Sequence, residues 1–206
     1  MSQSALPLQW PVADRDEDFL ISDANRHAFD HFRRWTTWPV AATLLTGPAK
    51  SGRSLLGGIF VRKTGGRLID DAEQQDEESI FHAWNEAQQR RKPLLIIADA
   101  PPPSWTIALP DLASRLAATP QVSIGAPDDA LIRQLVVKLL GNRGIAAPTE
   151  LADFVVPRIE RSYGAVQGVV DAIDRALLSN HRRATVPMAK RALIDAGLIR
   201  RARRGN

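Results

Sequence analysis

The sequence contains no cysteine, and no apolar run approaches the roughly 20 residues that cross a bilayer. The first absence excludes disulfides and thiolate metal sites, and it favours a reducing compartment. The second absence argues against a membrane-spanning helix, and the N-terminus lacks the basic and apolar regions of a signal peptide. We therefore expect a cytoplasmic protein that has no membrane partner.

The remaining composition is typical of a folded protein. Of the 206 residues, 44% are hydrophobic, which is enough for one large domain or two small ones. The formal net charge is only +4, so charge alone does not identify a nucleic-acid-binding protein. Several basic residues lie near the C-terminal end, where they either contact nucleic acid or remain solvated. We expect a basic tail over residues 201–206.

A glycine-rich segment between two apolar runs carries the strongest chemical pattern. Gly47 is followed by four residues and then by Gly52, Arg53 and Ser54, which fits the phosphate-loop pattern G-x-x-x-x-G-K-[ST] with arginine in place of lysine. Such a loop cradles phosphates with backbone N–H groups, and Ser54 would reach Mg²⁺. Because guanidinium is broader than ammonium, we expect a site that binds nucleotide yet hydrolyses it poorly. The alternative is a plain turn between a strand and a helix.

Carboxylates follow two predicted strands. Asp70 and Asp71 end the apolar run that starts at Arg67, and Asp99 ends the run over 94–98. Open α/β sheets bind their ligands at the carboxyl ends of parallel strands. Asp70 would hold Mg²⁺ through water, Asp71 would be the candidate base, and Asp99 would sense a γ-phosphate through water. The alternatives are an ordinary Asp-Asp turn and a carboxylate that caps the turn after its strand.

Hydrophobic periodicity predicts an α/β domain that is followed only by helices. We place the α/β base domain over residues 13–126 and a helical bundle over residues 127–200. Residues 1–12 contain two prolines and are predicted to be extended. This leader either docks into the apolar groove of a partner or packs loosely on its own domain. Short apolar runs predict strands over 40–46, 67–71, 94–99 and 122–124.

The order of these segments resembles the AAA+ modules of the DnaA-related, Hda-like regulators of bacterial replication initiation. Residues 68–71 resemble the Walker B strand of that family, residues 97–102 its sensor 1 strand, and residues 109–116 the segment that supplies an arginine finger. Residues 3–8 resemble the hexapeptide by which such regulators bind the sliding clamp. The resemblance implies an AAA+ P-loop NTPase fold, in which a small parallel sheet with flanking helices precedes an α-helical lid.

The resemblance also implies a function. With the DNA-loaded sliding clamp, such a regulator stimulates ATP hydrolysis by DnaA through an arginine finger, here Arg115, and so inactivates the initiator. DNA contact would be indirect, through the clamp, and copies of the module would be able to associate edge to edge. The implied ligand is ADP or ATP with Mg²⁺. The implied contacts are Gly47, Gly52, Arg53, Ser54, Leu55, Asp70, Asp99 and Arg161 for nucleotide, and Gln3, Leu6, Pro7 and Leu8 for the clamp.

Two departures from the family pattern stand out, a trimmed sheet and Gly164; Gly164 argues against efficient turnover together with Arg53, which itself resembles the loop of Hda-like proteins. Arg53 replaces the Walker A lysine, and Gly164 stands where sensor 2 supplies an arginine. The usual strand and helix between Walker A and Walker B are missing. Arg161, one helical turn from Gly164, would partly replace the sensor. Two other functions stay open, which are a nucleotide-independent adaptor on the clamp and a self-sufficient ATPase that resembles DnaA or a helicase loader.

Overall fold

A computed structural model describes residues 19–180 and 184–200. The predicted leader over residues 1–12 and the basic tail over 201–206 lie outside these residues. No helix in the described range has the length and apolarity that crossing a bilayer requires. The strands in this range are β1 (Ala42–Thr46), β2 (Arg67–Ile69), β3 (Leu94–Ile97) and β4 (Gln121–Ser123). The α-helices are α1 (Asp23–Arg33), α2 (Arg53–Thr64), α3 (Glu77–Arg90), α4 (Pro110–Ala117), α5 (Asp129–Asn142), α6 (Thr149–Val155), α7 (Tyr163–Asn180) and α8 (Val186–Asp195).

The four strands form one parallel sheet in the order β2–β3–β1–β4. Strands β1 and β3 are buried along their whole length, as expected for central strands of a parallel sheet. Only Gly65 and Gly66 separate α2 from β2, so no further strand or helix lies between them. Strand β2 is consequently at the edge of the sheet. The predicted small parallel sheet with flanking helices is confirmed.

The chain divides into two compact units. The first holds the sheet with α2, α3 and α4, and its described residues are Phe19, 27–47 and 52–123. The second holds α5 to α8, and it also takes in residues 20–26 and 48–51. A sequence boundary at residue 126 does not predict that these two short segments join the second unit.

Alternate residues of β3 serve the two faces of the sheet, as the period of a strand requires. Leu94 and Ile96 join the apolar cluster that contains Ile80 of α3. Leu95 and Ile97 lie under α2, where a Cβ at Gly57 would come within 3.0–3.2 Å of their methyl groups and that of Leu68. The absence of a side chain at Gly57 therefore lets α2 approach the sheet closely.

The second unit has an apolar core of its own, made by α5, α6, α7 and α8. Each helix contributes apolar side chains at helical spacing, as the sequence predicts. Ion pairs on the surface join α5 to its neighbours, and the Arg143 guanidinium lies between Asp171 and Asp174 of α7. Fully buried members of the core include Ile132, Val136, Leu140, Leu151, Val155, Val169, Val170, Ile173 and Leu193.

Candidate functional site

The loop between β1 and α2 has the backbone of an anion site. Gly47, Lys50 and Gly52 all have positive φ angles, of 150°, 65° and 89°. Helix α2 then begins at Arg53 without a side-chain cap, so its first-turn N–H groups are available to an anion. The Ser51 hydroxyl is buried without a hydrogen-bond partner, which also suits a ligand that would supply one. The loop backbone therefore fits a phosphate group.

Arg53, the cation of the loop, is already hydrogen-bonded within the protein. Its guanidinium donates to the carbonyl oxygen of Ala98 and to the Asp99 carboxylate, both directly after β3. The Arg53 side chain is 9% exposed, whereas that of Asp99 is 69% exposed. The predicted phosphate cation and the predicted γ-phosphate sensor thus neutralise each other. In this arrangement neither charge is directed at a ligand.

A glutamate that the sequence analysis missed lies beside this pair. The Glu73 carboxylate accepts a hydrogen bond of 2.7 Å from the Asp99 backbone N–H through one oxygen, and its other oxygen is buried without a partner. Glu73 follows Asp70 and Asp71 by only a few residues, so an acidic cluster after the Walker B strand was the available signal. Glu73 fixes the backbone at the end of β3.

The two predicted Walker B carboxylates lie at the carboxyl end of β2. Asp70 is partly buried and accepts a 3.0 Å hydrogen bond from the Asp71 N–H. Asp71 is exposed and has a left-handed backbone with a φ of 48°. Ser54 and Leu55 are exposed in the first turn of α2. No group of three or more His, Cys, Asp or Glu side chains in the described residues could hold a metal ion. Ser54 and Asp70 would therefore hold Mg²⁺ only together with a nucleotide.

Arg115, the predicted finger, is an exposed residue of α4 that stacks on two aromatic rings of α3. Its guanidinium carbon lies 4.9 Å from the ring centre of Trp84 and 5.8 Å from that of Phe81. Trp84 donates a 2.9 Å hydrogen bond to the Thr119 hydroxyl, which donates to the Arg115 carbonyl oxygen at 2.8 Å. The rings hold the guanidinium of Arg115 in place, and the hydrogen-bond chain holds its backbone carbonyl group.

A carboxylate at the start of α3 positions the start of α4. Glu77 accepts hydrogen bonds from the backbone N–H groups of Ala108 and Leu109, at 2.9 and 2.6 Å. These contacts fix the segment that leads into α4, while the Arg115 stacking fixes the other end of that helix. Sequence spacing did not indicate either contact, because each joins residues about 30 positions apart.

The predicted sensor residues of the lid show one ion pair and one open position. The Arg161 guanidinium donates two hydrogen bonds to Asp129 of α5, at 2.9 and 3.1 Å. Gly164 has a conformation that other residues adopt, and a Cβ there would meet no atom closer than 4.0 Å. Arg161 is thus held on the lid itself. Gln3, Leu6, Pro7 and Leu8, the predicted clamp contacts, lie outside the described residues.

Comparison with known proteins identifies the lid and the fold. Residues 131–193 match a family model described as "Hda, lid domain". Domain III of the replication initiation protein DnaA from Thermotoga maritima shares the fold with a TM-score of 0.72 and 16% identity, over 90% of this chain and 96% of that chain. AMPPCP-bound DnaA from Aquifex aeolicus shares the fold with a TM-score of 0.59 and 16% identity, over 77% of this chain and 64% of that chain. The T. maritima RuvB branch migration motor shares the fold with a TM-score of 0.64 and 12% identity, over 90% of this chain and 74% of that chain.

The predicted AAA+ fold, an α/β module followed by an α-helical lid, is therefore confirmed. The resemblance to DnaA-related, Hda-like AAA+ proteins is confirmed in the lid by the family model and in the fold by the solved structures. At these identities, the likeness to solved structures establishes the fold alone.

Proposed function

We propose that this protein is a regulator of replication initiation that inactivates DnaA by stimulating its ATP hydrolysis. The observation that supports the proposal best is the Hda lid match on a module whose Arg115 is exposed and held on aromatic rings. In this proposal Arg115 completes the nucleotide site of a bound DnaA molecule. The protein itself then needs no efficient hydrolysis.

The chemistry of Arg115 suits this role. Guanidinium is always charged and delocalised, and that of exposed Arg115 lies 4.9 Å from the ring centre of Trp84 and 5.8 Å from that of Phe81, a contact through the ring faces that does not consume N–H hydrogen bonds. A positioned arginine stabilises the charge on a transferring phosphoryl group, an effect of about 10³–10⁵ in rate in other systems. Because the platform fixes the side chain before docking, little side-chain entropy is lost when the composite site forms.

The protein's own nucleotide site is proposed to hold ADP as a structural or regulatory ligand. The loop from Gly47 to Gly52 would bind the phosphates through backbone N–H groups, and Ser54 and Asp70 would hold the accompanying Mg²⁺. Arg53 is engaged with Asp99, and Gly164 supplies no sensor cation. These two features argue against turnover by the protein alone.

Attachment to the DNA-loaded sliding clamp is proposed to run through residues 3–8. Leu6 and Leu8 are the apolar anchors of this segment, and Pro7 favours the extended shape that a groove accepts. DNA would then be reached through the clamp.

The test is ATP hydrolysis by DnaA on clamp-loaded DNA, with and without this protein. We expect Arg115→Ala to keep the fold and clamp binding but to abolish the stimulation, whereas Arg26→Ala, a matched exposed arginine, keeps it. A chain without residues 1–8 should lose stimulation through loss of the clamp. Full stimulation by Arg115→Ala would remove the finger from the proposal.

The Arg53–Asp99 ion pair favours a second candidate, a nucleotide-independent adaptor on the clamp. In that case the loop is vestigial and the ion pair has replaced the ligand. Calorimetric titration with ADP and ATP distinguishes the two functions, because only the first requires binding. Binding with basal turnover that Asp70→Ala removes would instead indicate a self-sufficient ATPase.

A further inference from the structure

Six cations surround the two turns that lead into β2 and β3, far in sequence from the Arg115 helix. Arg62, Lys63, Arg67, Arg90, Arg91 and Lys92, which we call the basic edge cluster, lie within residues 62–67 and 86–92. The same segments contain one acid, Glu86. The rest of the chain holds 21 Lys and Arg against 22 Asp and Glu, a net charge of −1. The two segments thus carry a local excess of positive charge, separate in sequence from the basic residues near the C-terminal end.

The backbone holds the two turns together. The Arg67 N–H donates a 2.9 Å hydrogen bond to the Pro93 carbonyl oxygen. A Cβ at Gly66 would lie 2.3 Å from that oxygen, so only glycine permits this close approach. The turns border an open recess of about 190 Å³, which is lined by the cations Arg67, Arg90 and Lys92, by Glu86 and by apolar Ala83, Ala87 and Pro93. The recess is large enough for a phosphate group.

Glu86 does not fully neutralise the two arginines that it contacts, Arg67 and Arg90. Glu86 is shared by two arginines, at 3.6 Å from Arg67 and 3.1 Å from Arg90. These two side chains remain 58% and 68% exposed. Basic residues commonly stabilise helix C-termini, which accounts for Arg62, Lys63 and Arg90 in the last turns of α2 and α3. Arg91 is the C-cap residue of α3, so that role extends to it but does not account for Arg67 or Lys92.

We propose that the basic edge cluster binds the phosphate backbone of double-stranded DNA directly. Arginine-rich, exposed cations around a phosphate-sized recess suit backbone contacts, which carry affinity without sequence information. Residues 62–67 and 86–92 contain no aromatic side chain on which an unpaired base would stack, which favours duplex over single strands. The exposed large apolar residues of the described chain, Ile21, Leu55 and Val137, lie elsewhere, so the cluster lacks the apolar side chains that insert into a membrane.

The test is fluorescence anisotropy of a labelled 30-base-pair duplex with the full chain, from 50 to 200 mM KCl. The assay contains neither DnaA nor clamp, so its outcome is independent of the function proposed above. Each lost phosphate contact lowers the slope of log K against log salt by about 0.9. The triple variant Arg67→Gln, Arg90→Gln, Lys92→Gln should therefore lose about 2.7 from the slope and bind at least about tenfold more weakly at 50 mM.

A control variant removes the same charge from exposed positions in the other unit: Lys190→Gln, Arg191→Gln and Arg200→Gln. It should bind the duplex like the unaltered chain, and thermal unfolding should show that both variants fold. Unchanged affinity in the cluster variant would overturn the proposal, as would binding that is lost only when residues 201–206 are deleted. Binding to phosphatidylglycerol vesicles without binding to the duplex would also overturn it.

Discussion

The guanidinium of Arg53 is buried, and its hydrogen bonds explain how the protein tolerates that charge. A buried cation needs partners, and Ala98 and Asp99 supply a carbonyl oxygen and a carboxylate. The sequence predicts Arg53 and Asp99 separately as phosphate contacts, each from its place in a motif. Their pairing was beyond prediction, because it joins residues about 45 positions apart through the register of β1 and β3.

Replacing Arg53 by lysine separates the contribution of this residue to stability from its contribution to nucleotide binding. Lysine is a compact point charge that cannot reproduce the two-pronged contact with Ala98 and Asp99, so we expect Arg53→Lys to lower the free energy of unfolding by about 1–3 kcal/mol. The freed ammonium should strengthen ADP binding by about tenfold, as one charge-assisted hydrogen bond would. Urea unfolding and calorimetric titration measure the two effects.

Arg53→Met is the matched control, because it keeps the length of the side chain and removes the charge. It should destabilise the protein without any gain in ADP affinity. If Arg53→Lys also leaves ADP affinity unchanged, the loop cation plays no part in nucleotide binding.

His31 of α1 is a partly buried histidine whose pKa burial lowers to about 4, with smaller contributions from His27 and Arg34. Its Nε2 lies 2.9 Å from the Thr43 hydroxyl, and its ring stacks on Trp38 at 4.8 Å. Since Thr43 donates its own proton to the Pro120 carbonyl, the Nε2–H of neutral His31 is the donor to Thr43. Protonation would occur at Nδ1 and leave this hydrogen bond intact, so burial is what makes the charged form unfavourable in the folded state.

Stability should consequently fall on acidification. Unfolded histidine, with a pKa near 6.5, binds its proton before the folded protein does, so this contribution is complete above about pH 7 and is lost between about pH 6.5 and 4. His31→Gln, which keeps a hydrogen-bonding side chain, should flatten this part of the profile. Thermal unfolding between pH 4 and 8 measures the difference, and parallel profiles for the two proteins would contradict the assignment.

At the scale of elements, α2 contains two neighbouring glycines with different surroundings. Gly57 faces the sheet, where Ile97, Leu68 and Leu95 leave no room for a side chain. A Cβ at Gly58 would meet only the end of the Arg62 side chain, at 3.4 Å. In the sequence, both glycines weaken the helix equally. Only the packing shows that Gly57 is needed for the close approach of α2 to the sheet.

Alanine substitutions should therefore have opposite effects at these positions. Gly58→Ala should raise the free energy of unfolding by about 0.5–1 kcal/mol, because alanine is the better helix former. Gly57→Ala gains the same propensity but crowds three methyl groups, so we expect no gain or a loss. Urea unfolding of both variants tests the pair, and equal stabilisation would show that α2 can move away from the sheet.

Most elements were predictable, because their side chains repeat with the period of a helix or a strand. The apolar run before the loop and the run over 94–98 predict the two buried strands, and lid helices follow from their apolar faces. Element ends were less predictable: the last strand was predicted over residues 122–124 but spans Gln121–Ser123. The contacts that hold Arg115 depend on how α3 and α4 pack, and local sequence does not encode that packing.

At the scale of the molecule, each unit has its own apolar core. Leu112 is fully buried in the core of the sheet unit, and Leu151 is fully buried in the core of the lid unit. Composition alone allowed either one large domain or two small ones, and hydrophobic periodicity predicted an α/β domain followed by helices; the packing adds that each unit has a core of its own. Separate cores favour separate unfolding transitions.

Matched truncations should show this separation. Leu112→Ala and Leu151→Ala each remove the same atoms from a fully buried site, at a cost of about 2–5 kcal/mol. In differential scanning calorimetry we expect two transitions, with each variant lowering the midpoint of only one. A single transition that moves equally in both variants would mean that the two cores unfold as one.

The two edge strands of the sheet affect whether copies of this protein aggregate at high concentration. An open sheet edge is a template on which another chain can add a strand and begin a polymer. Here β2 and β4 are each only three residues long, and both begin with an exposed polar side chain, Arg67 or Gln121. The long apolar strands β1 and β3 lie inside the sheet. In this four-stranded sheet, the aggregation-prone strands β1 and β3 are therefore not available for pairing with another molecule.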